Sequence, residues 1–462
     1  MDPRTLEQIA ALVGGQLHGP GHGKVTRVVT DSRLIRAGEF FVALCGQQFD
    51  GHTFLPAVKE AAAVGALVSD LNVHLDGFTQ IVVPDTLAAL QRLARAYRTE
   101  LPLKAIGVTG SSGKTSTKEM IASVLRERFA VAKTIGNYNN HIGLPLTVLG
   151  ASSADDFGVF EMGMNHAGEL APLCEIAQPD ASVIVNIGTA HLGHLYTRDA
   201  IAAEKAVVAE ATASGGFVVL NADDDFTDWI AARCKARVVL AGLNRGQVKA
   251  QNIHESAKGA TFTLIHQQES TQVVLPVHGE HMVANACMAA AVGLQFGLTL
   301  EECAAGLAKT AIPGNRLKIQ NIGPLLVIND AYNANPDSML AALKAATQLT
   351  VQGRRVAALG RMGELGKESE AAHRRVGRAV AEFEFDYLVT VGDEARLTAD
   401  SASSAGLKSV DRTDTHEQAI EALLNYLEPG DLLLVKGSLS SAMDRVVHGL
   451  GAVFDQAKWR SP

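Results

Sequence analysis

The segment "KAIGVTGSSGKTSTKEM" constrains the fold more than any other stretch of the chain. A nearly continuous apolar run leads into Gly110-Ser111-Ser112-Gly113-Lys114-Thr115, and a helical pattern follows. A strand that runs through glycines into a helix aims backbone N–H groups, and the positive end of the helix dipole, at a bound anion. Lys114 can reach terminal phosphates, and the Thr115 hydroxyl suits Mg2+. The full phosphate-loop pattern G-x-x-x-x-G-K-[ST] would need glycine where Val108 stands, so this loop is a shortened form. A glycine-rich turn without a ligand is the plain alternative. The Gly-Lys-Thr placement between a strand over 103–108 and a helix from about Lys114 favours phosphate.

The same grammar recurs in "FGVFEMG", "ASVIVNIG", "FVVLNADDD", "PLLVINDA", "RRVAALG", "DYLVTVGD" and "DLLLVKGS". Val/Ile/Leu runs without alternation suit strands buried on both faces, which predicts an α/β protein with parallel sheets between helices. Functional residues should then follow the carboxyl ends of the strands. Breaks near Leu101-Pro102 and Ile312-Pro313-Gly314 divide the chain into three domains, 1–100, 101–312 and 313–462. The expectation is a smaller α/β N-terminal domain, a central parallel-sheet ATPase domain of the phosphate-loop type and a Rossmann-like C-terminal domain. With 47% apolar residues there is material for several cores.

Several partner classes are disfavoured. Net charge is −8 with Lys and Arg scattered, which gives no electrostatic case for nucleic acid. Five cysteines without a C-x-x-C pair argue against a disulfide framework or structural zinc and fit a reducing cytoplasm. "MDPRTLEQIAALVGG" lacks a basic segment before an apolar one, and the chain has no apolar run of about 18 residues, so neither export nor membrane insertion is expected.

Three further polar residues are read as lying at strand ends: Glu161 in "FGVFEMGMNHAGE", His191 in "VIVNIGTAHLGH" and Lys205 in "AAEKAVVAE". A carboxylate and a neutral imidazole are ordinary ligands for a divalent cation, although a satisfied interior histidine is the plain reading of His191. An ammonium cannot coordinate a metal and would repel one. By spacing alone Lys205 is better taken as a helix-surface partner of Glu204 or Glu210. In "NDAYNANPDSM", Asp330 could hold a ribose hydroxyl, and Asn333 and Asn335 could read a base edge, yet these residue types also make turns. Arg316 in "IPGNRLK" could reach a nucleotide or make a surface salt bridge. A phosphate-loop ATPase or switch protein would share the loop; the Glu161, His191 and Lys205 set speaks against it.

In order along 25–440, "GSSGKTSTKEM", "GNYNNHIGLPLT", "EMGMNHAGEL", "NIGTAHLGHL", "PGNRLK", "INDAYNANPDSM", "LGRMGELG" and "VKGS" resemble the Mur ligases, ATP-dependent enzymes that build the peptide of bacterial peptidoglycan. "DAYNANPDSM" and "GRMGELG" are similar to the member that joins D-alanyl-D-alanine to UDP-N-acetylmuramoyl-tripeptide. The resemblance implies a cytoplasmic bacterial ligase with ATP and two Mg2+ ions, and a monomer is expected. It also implies that CO2 carbamylates Lys205, which replaces a cation by a carboxylate-like anion and removes the electrostatic objection to a lysine beside a metal. Thr115 and Glu161 would then hold one Mg2+, and Glu161, His191 and modified Lys205 the other.

Lys114, Glu161, His191, Lys205 and Arg316 are the implied catalytic set. ATP would be held by Gly110, Ser111, Ser112, Gly113, Lys114, Thr115, Thr117, Asn140, Arg316, Asp330 and Asn333. "TDSRLIRAGEFFVALCGQQFDGHTF" is similar to the family's UDP-sugar segment, implicating Ser32, Arg33, Asp50, Gly51 and His52. Asn137 and Asn139 would line the nucleotide or acceptor path, and Lys436 and Ser438 would meet the dipeptide or the γ-phosphate.

Overall fold

All eight of the apolar runs singled out in the sequence form strands, and each pairs in parallel with at least one neighbour. The computed structural model describes residues 1–46, 49–256 and 258–455; the end of the third expected domain, 456–462, lies outside the described residues.

A five-stranded sheet comes first, with β1 (Gln16–His18), β2 (Val28–Val29), β3 (Phe40–Val42), β4 (Gly65–Val68) and β5 (Gln80–Val82) in the order β1-β5-β4-β3-β2. Helix α1 (Thr86–Glu100), capped by the Asp85 carboxylate accepting the Ala88 N–H at 2.9 Å, carries the chain out of it.

The central sheet has nine strands: β6 (Lys104–Thr109), β7 (Val131–Lys133), β8 (Phe157–Glu161), β9 (Ala181–Ile184), β10 (Phe217–Asn221), β11 (Arg237–Gly242), β12 (Val248–Ser256), β13 (Gly259–His266) and β14 (Glu269–Leu275). Their order, β14-β13-β12-β11-β10-β9-β6-β8-β7, places β6 between β8 and β9. The chain therefore winds to one side of β6 and then crosses to the other, which opens a crevice at the carboxyl end of β6.

The third sheet holds β15 (Lys318–Ile322), β16 (Leu325–Asp330), β17 (Arg355–Leu359), β18 (Tyr387–Val391), β19 (Val410–Thr413) and β20 (Leu432–Lys436), ordered β15-β16-β20-β17-β18-β19.

Wholly parallel sheets were too simple an expectation. β12, β13 and β14 pair antiparallel, as do β15 with β16 and β1 with β5. The reason is visible in "GATFTLIH": Ala260, Phe262 and Leu264 are fully buried while Thr261, Thr263 and Ile265 are less so. Such alternation suits a ribbon with one face on the core and the other toward water. Helix α2 (Lys114–Leu125), after β6, and helix α4 (Glu280–Gln295), after the ribbon, pack against each other, and the apolar core around them continues into the third sheet through Leu317, Ala334 and Met339. Among the described residues no helix is long and apolar enough to cross a membrane.

Candidate active site

The phosphate loop is held by the segment just after β9. Ser112 N–H donates to Asn186 Oδ1 at 2.9 Å, Ser111 N–H to Asn186 O at 3.0 Å, and Gly188 N–H to Ser111 Oγ at 2.8 Å. Gly113 opens α2 with φ 78, and a Cβ there would lie 2.9 Å from the Asn285 side chain, so glycine is required twice over. Lys114 Nζ donates to Gly110 O at 2.8 Å. Lys205 Nζ donates to the same carbonyl at 3.1 Å.

Lys205 is thus neither at a strand end nor on a surface. It lies within helix α3 (Arg198–Glu210), one turn after Ile201 and one turn before Val208 and Ala209, on a stripe that is buried throughout. Its expected partner Glu204 is buried too and accepts the N–H groups of Gly168 at 2.8 Å and Leu170 at 2.9 Å. Burial, with the nearby Lys114 charge, pushes the Lys205 pKa well below the ordinary lysine value, against the pull of Glu204. Burial also lowers Lys114, with Glu161 and Glu364 opposing and Arg316 adding to the shift.

Glu161 ends β8 almost wholly buried. Its Oε1 accepts from Asn139 Nδ2 at 2.8 Å; its Oε2 is buried without a hydrogen-bond partner. Lys118, fully buried one turn after Lys114, has Nζ 3.8 Å from that Oε2 while pairing with Glu119 Oε1 at 3.0 Å and donating to Thr134 O at 2.7 Å. His191 follows β9 with φ 67, and its Nδ1 lies 2.7 Å from Glu364 Oε2. Burial lowers the His191 pKa, Glu364 opposes, and Lys114 and Lys205 lower it further; the net lowering favours the neutral imidazole. A buried carboxylate oxygen without a donor, together with an imidazole whose Nδ1 is engaged, is an acceptor set that fits a divalent cation.

The third sheet supplies the opposite wall. The Arg316 guanidinium lies 3.7 Å over the Tyr332 ring and donates to Pro313 O at 3.2 Å. Asp330 and Lys436 are register partners on β16 and β20, and Lys436 Nζ lies 2.6 Å from Asp330 Oδ2 and 2.8 Å from Asn333 O. The acid expected at the ribose and the lysine expected at the dipeptide are therefore one buried pair, and removing either partner would leave a charge stranded at a cost of about 3–5 kcal/mol. Asp330 Oδ1 also accepts the Leu317 N–H at 3.1 Å. Asn333 is exposed, with its Oδ1 on the Ala334 N–H at 2.8 Å. Ser438 Oγ lies 3.2 Å from Ser440 Oγ.

Sequence reading missed a clasp between the central and third sheets. Asn335 caps helix α5 (Pro336–Gln348) and donates to Ser112 Oγ at 3.1 Å, touching the phosphate loop instead of a base edge. Asp337 Oδ2 accepts Thr189 N–H at 2.7 Å and Thr189 Oγ1 at 2.8 Å. Lys118 was missed as well, although its i+4 spacing from Lys114 is a signal that both share one helix face.

Other expected residues are more peripheral. Thr117 is wholly buried within α2 with its hydroxyl unpartnered. Asn140 Oδ1 accepts the N–H groups of Ile142 at 3.1 Å and Gly143 at 2.9 Å just ahead of the helix Gly143–Gly150, and Asn137 is exposed nearby. On the first sheet, Ser32 and Arg33 form a single turn in which Arg33 Nη2 pairs with Asp31 at 2.7 Å. Asp50 Oδ1 accepts the His52 N–H at 2.9 Å and contacts His52 Nδ1 at 2.6 Å, while His52 Nε2 accepts the Ser69 N–H at 2.9 Å. A Cβ on Gly51 would lie 2.9 Å from the Leu44 backbone, so this turn requires glycine.

Comparison with known proteins places the fold in a family. The Mur ligase middle-domain model matches residues 108–293, and the model for the Mur ligase glutamate ligase domain matches 315–439. The UDP-N-acetylmuramoyl-tripeptide–D-alanyl-D-alanine ligase of Bacillus subtilis (strain 168) is 37% identical, covering 97% of this chain and 99% of its own. A crystal structure of MurF from Acinetobacter baumannii superposes with TM-score 0.91 at 34% identity over 98% of this chain and 99% of its own. MurF from Thermotoga maritima, solved in complex with ADP, superposes with TM-score 0.82 at 26% identity over 93% of this chain and 98% of its own. With relatives matched from end to end and the shortened phosphate loop facing a buried carboxylate, histidine and lysine, the chain belongs to the Mur ligase family.

Proposed function

We infer that the chain is an ATP-dependent ligase that joins D-alanyl-D-alanine to UDP-N-acetylmuramoyl-tripeptide in bacterial cytoplasmic peptidoglycan precursor synthesis. The observation that carries this reading is the convergence of Lys114, Lys205, Glu161 and His191 on one phosphate loop, in a chain matched along its length by such ligases.

A carboxylate does not acylate an amine directly, because oxide is not a leaving group. A carboxylate oxygen of the tripeptide attacks the γ-phosphorus of ATP, ADP departs, and an acyl phosphate forms. The dipeptide amine then attacks the acyl carbon, phosphate leaves, and the amine's extra proton passes to solvent. Lys114 and the permanently charged Arg316 would place positive charge where the phosphate oxygens gather. Mg2+, when bound, would be held by Thr115, Glu161, His191 and carbamylated Lys205, and would supply positive charge opposite the phosphates. The Asp330–Lys436 pair and Ser438 form the wall from which the dipeptide is met. Three working units follow, 1–100 for the UDP-sugar, 101–312 for ATP and metal and 313–462 for the dipeptide, with the clasp between the last two keeping water from the acyl phosphate.

Mass spectrometry of the product from ATP, UDP-N-acetylmuramoyl-tripeptide and D-Ala-D-Ala tests the reading. One ADP and one phosphate should appear per amide, and only with both co-substrates present. Turnover of ATP at the same rate with neither would replace this reading by an ATPase.

Lys118 yields a further expectation. Its ammonium is the cation nearest the unpartnered Glu161 oxygen, so Lys118→Met should leave the buried Glu161 carboxylate without that charge, while Glu119 keeps its pairing with Lys133. Activity should fall about 10-fold or more and stability by about 3–5 kcal/mol, with Lys118→Arg recovering part of each. Denaturant titration beside steady-state rates checks both, and a variant as stable as the parent would show that the pair carries no such burden.

A further inference from the structure

We propose that Glu364 is a positioning residue for His191, orienting the imidazole for metal only when the third-sheet unit sits over the phosphate loop. The proposal rests on the metal role given to His191 under the proposed function.

Four observations meet at this place. Glu364 Oε2 lies 2.7 Å from His191 Nδ1, and the pair spans two sheets 173 residues apart in sequence. Beside it, Glu364 O accepts the Gly193 N–H at 2.9 Å. The two backbones are also in contact: a Cβ on Gly193 would lie 2.8 Å from Glu364 O and from Gly366 N, and a Cβ on Gly366 would lie 2.8 Å from Gly193 Cα. His191 and Glu364 both have left-handed backbones, φ 67 and φ 61, which non-glycine residues adopt at some cost and which here turn the two side chains toward each other. Two glycines, one main-chain hydrogen bond and two left-handed residues make a fitted contact, unlike a chance meeting of surface charges.

The chemistry follows from the ring. A histidine that ligates a metal through one nitrogen donates its other N–H to an acceptor, which sets the tautomer and the ring's orientation and makes the ligating nitrogen more basic. Glu364 takes the Nδ1 side and leaves Nε2 for the metal. Since the carboxylate belongs to one unit and the imidazole to the other, metal affinity and the approach of the two units are linked, and each must favour the other by the same factor. The tripeptide would then be activated at a fully formed metal site only after the dipeptide-binding wall is in place.

The test is Mn2+ binding to the full-length protein, followed by electron paramagnetic resonance without ATP or co-substrates. Glu364→Ala should raise the Mn2+ Kd about 10-fold or more. In a His191→Ala background the same change should have no further effect, as expected for a residue that acts through the histidine. Gly193→Ala, which keeps Glu364 but wedges the backbones apart, should weaken Mn2+ similarly, and small-angle scattering should show Mn2+ compacting the parent but neither variant. Parent-like Mn2+ affinity in Glu364→Ala, or a loss of equal size with and without His191, would overturn the proposal. Parent-like affinity in His191→Ala alone would instead remove the metal role on which it stands.

Discussion

Lys205→Ala is expected to lower the ligation rate by about 10^3-fold while the protein remains folded, and a small carboxylate such as acetate or formate is expected to restore part of it. The Lys205 amine is buried, shares the Gly110 carbonyl with Lys114, and has a pKa pushed well below the usual lysine value. A neutral amine is what reacts with CO2: its nitrogen attacks the carbon, one proton leaves, and an anionic carbamate remains. Two ammonium groups on one carbonyl would oppose metal at Glu161 and His191, whereas an anion there would attract it. Lys205→Arg should resist rescue, because its charge persists. Activity of the parent should fall in bicarbonate-free buffer and return when bicarbonate is supplied. Full activity of Lys205→Ala in both buffers would take Lys205 out of the mechanism.

Stability has a sign here as well. A lysine whose folded pKa is depressed binds fewer protons in the native than in the unfolded chain at every pH between the two values. Stability is thus fully retained only above the unfolded value of about 10.4 and declines as pH falls toward the folded one. Lys205→Met should therefore be more stable than the unmodified parent at neutral pH despite being inactive, which thermal unfolding in CO2-free buffer will show.

Lys114→Ala is expected to abolish ligation to a similar degree, about 10^2–10^3-fold or more, and to leave affinity for the UDP-sugar within about twofold. Lys114 opens α2 directly at the loop and its Nζ lies 2.8 Å from Gly110 O, where a phosphate would displace that carbonyl as its partner. The residues assigned to the UDP-sugar, Ser32, Arg33 and Asp50-Gly51-His52, belong to loops of a different sheet. Calorimetry with the UDP-sugar alone separates the two effects. A parallel collapse of that affinity in folded Lys114→Ala would show that the first unit is not an independent binding module.

Much of this protein was legible in its sequence, for local reasons. Uninterrupted Val/Ile/Leu runs can be satisfied only by burial on both faces, so the parallel strands could be read directly; "GSSGKT" between a strand and a helix leaves little for the backbone to do but present N–H groups to an anion. The edge ribbon β12–β14 was readable in principle from its alternation, but it was outweighed by the parallel runs around it. Lys205 shows where local reading stops. Its neighbours Glu204 and Glu210 suggested a surface ion pair, and only the packing of α3 against the loop decides that the lysine is buried, unpaired by a carboxylate and pushed toward a lower pKa. In the same way, Asp330 and Lys436 were assigned to different ligands because 106 residues separate them, and it is the adjacency of β16 and β20 that makes them one pair. The sequence by itself determined the strands, the phosphate loop and the family, because those depend on short-range patterns of burial and backbone geometry. Tertiary structure alone decided which charges are stranded, which are paired, and that Glu364, Asp337 and Asn335 reach across to His191, Thr189 and Ser112, because solvation and long-range contact depend on what surrounds a residue in space.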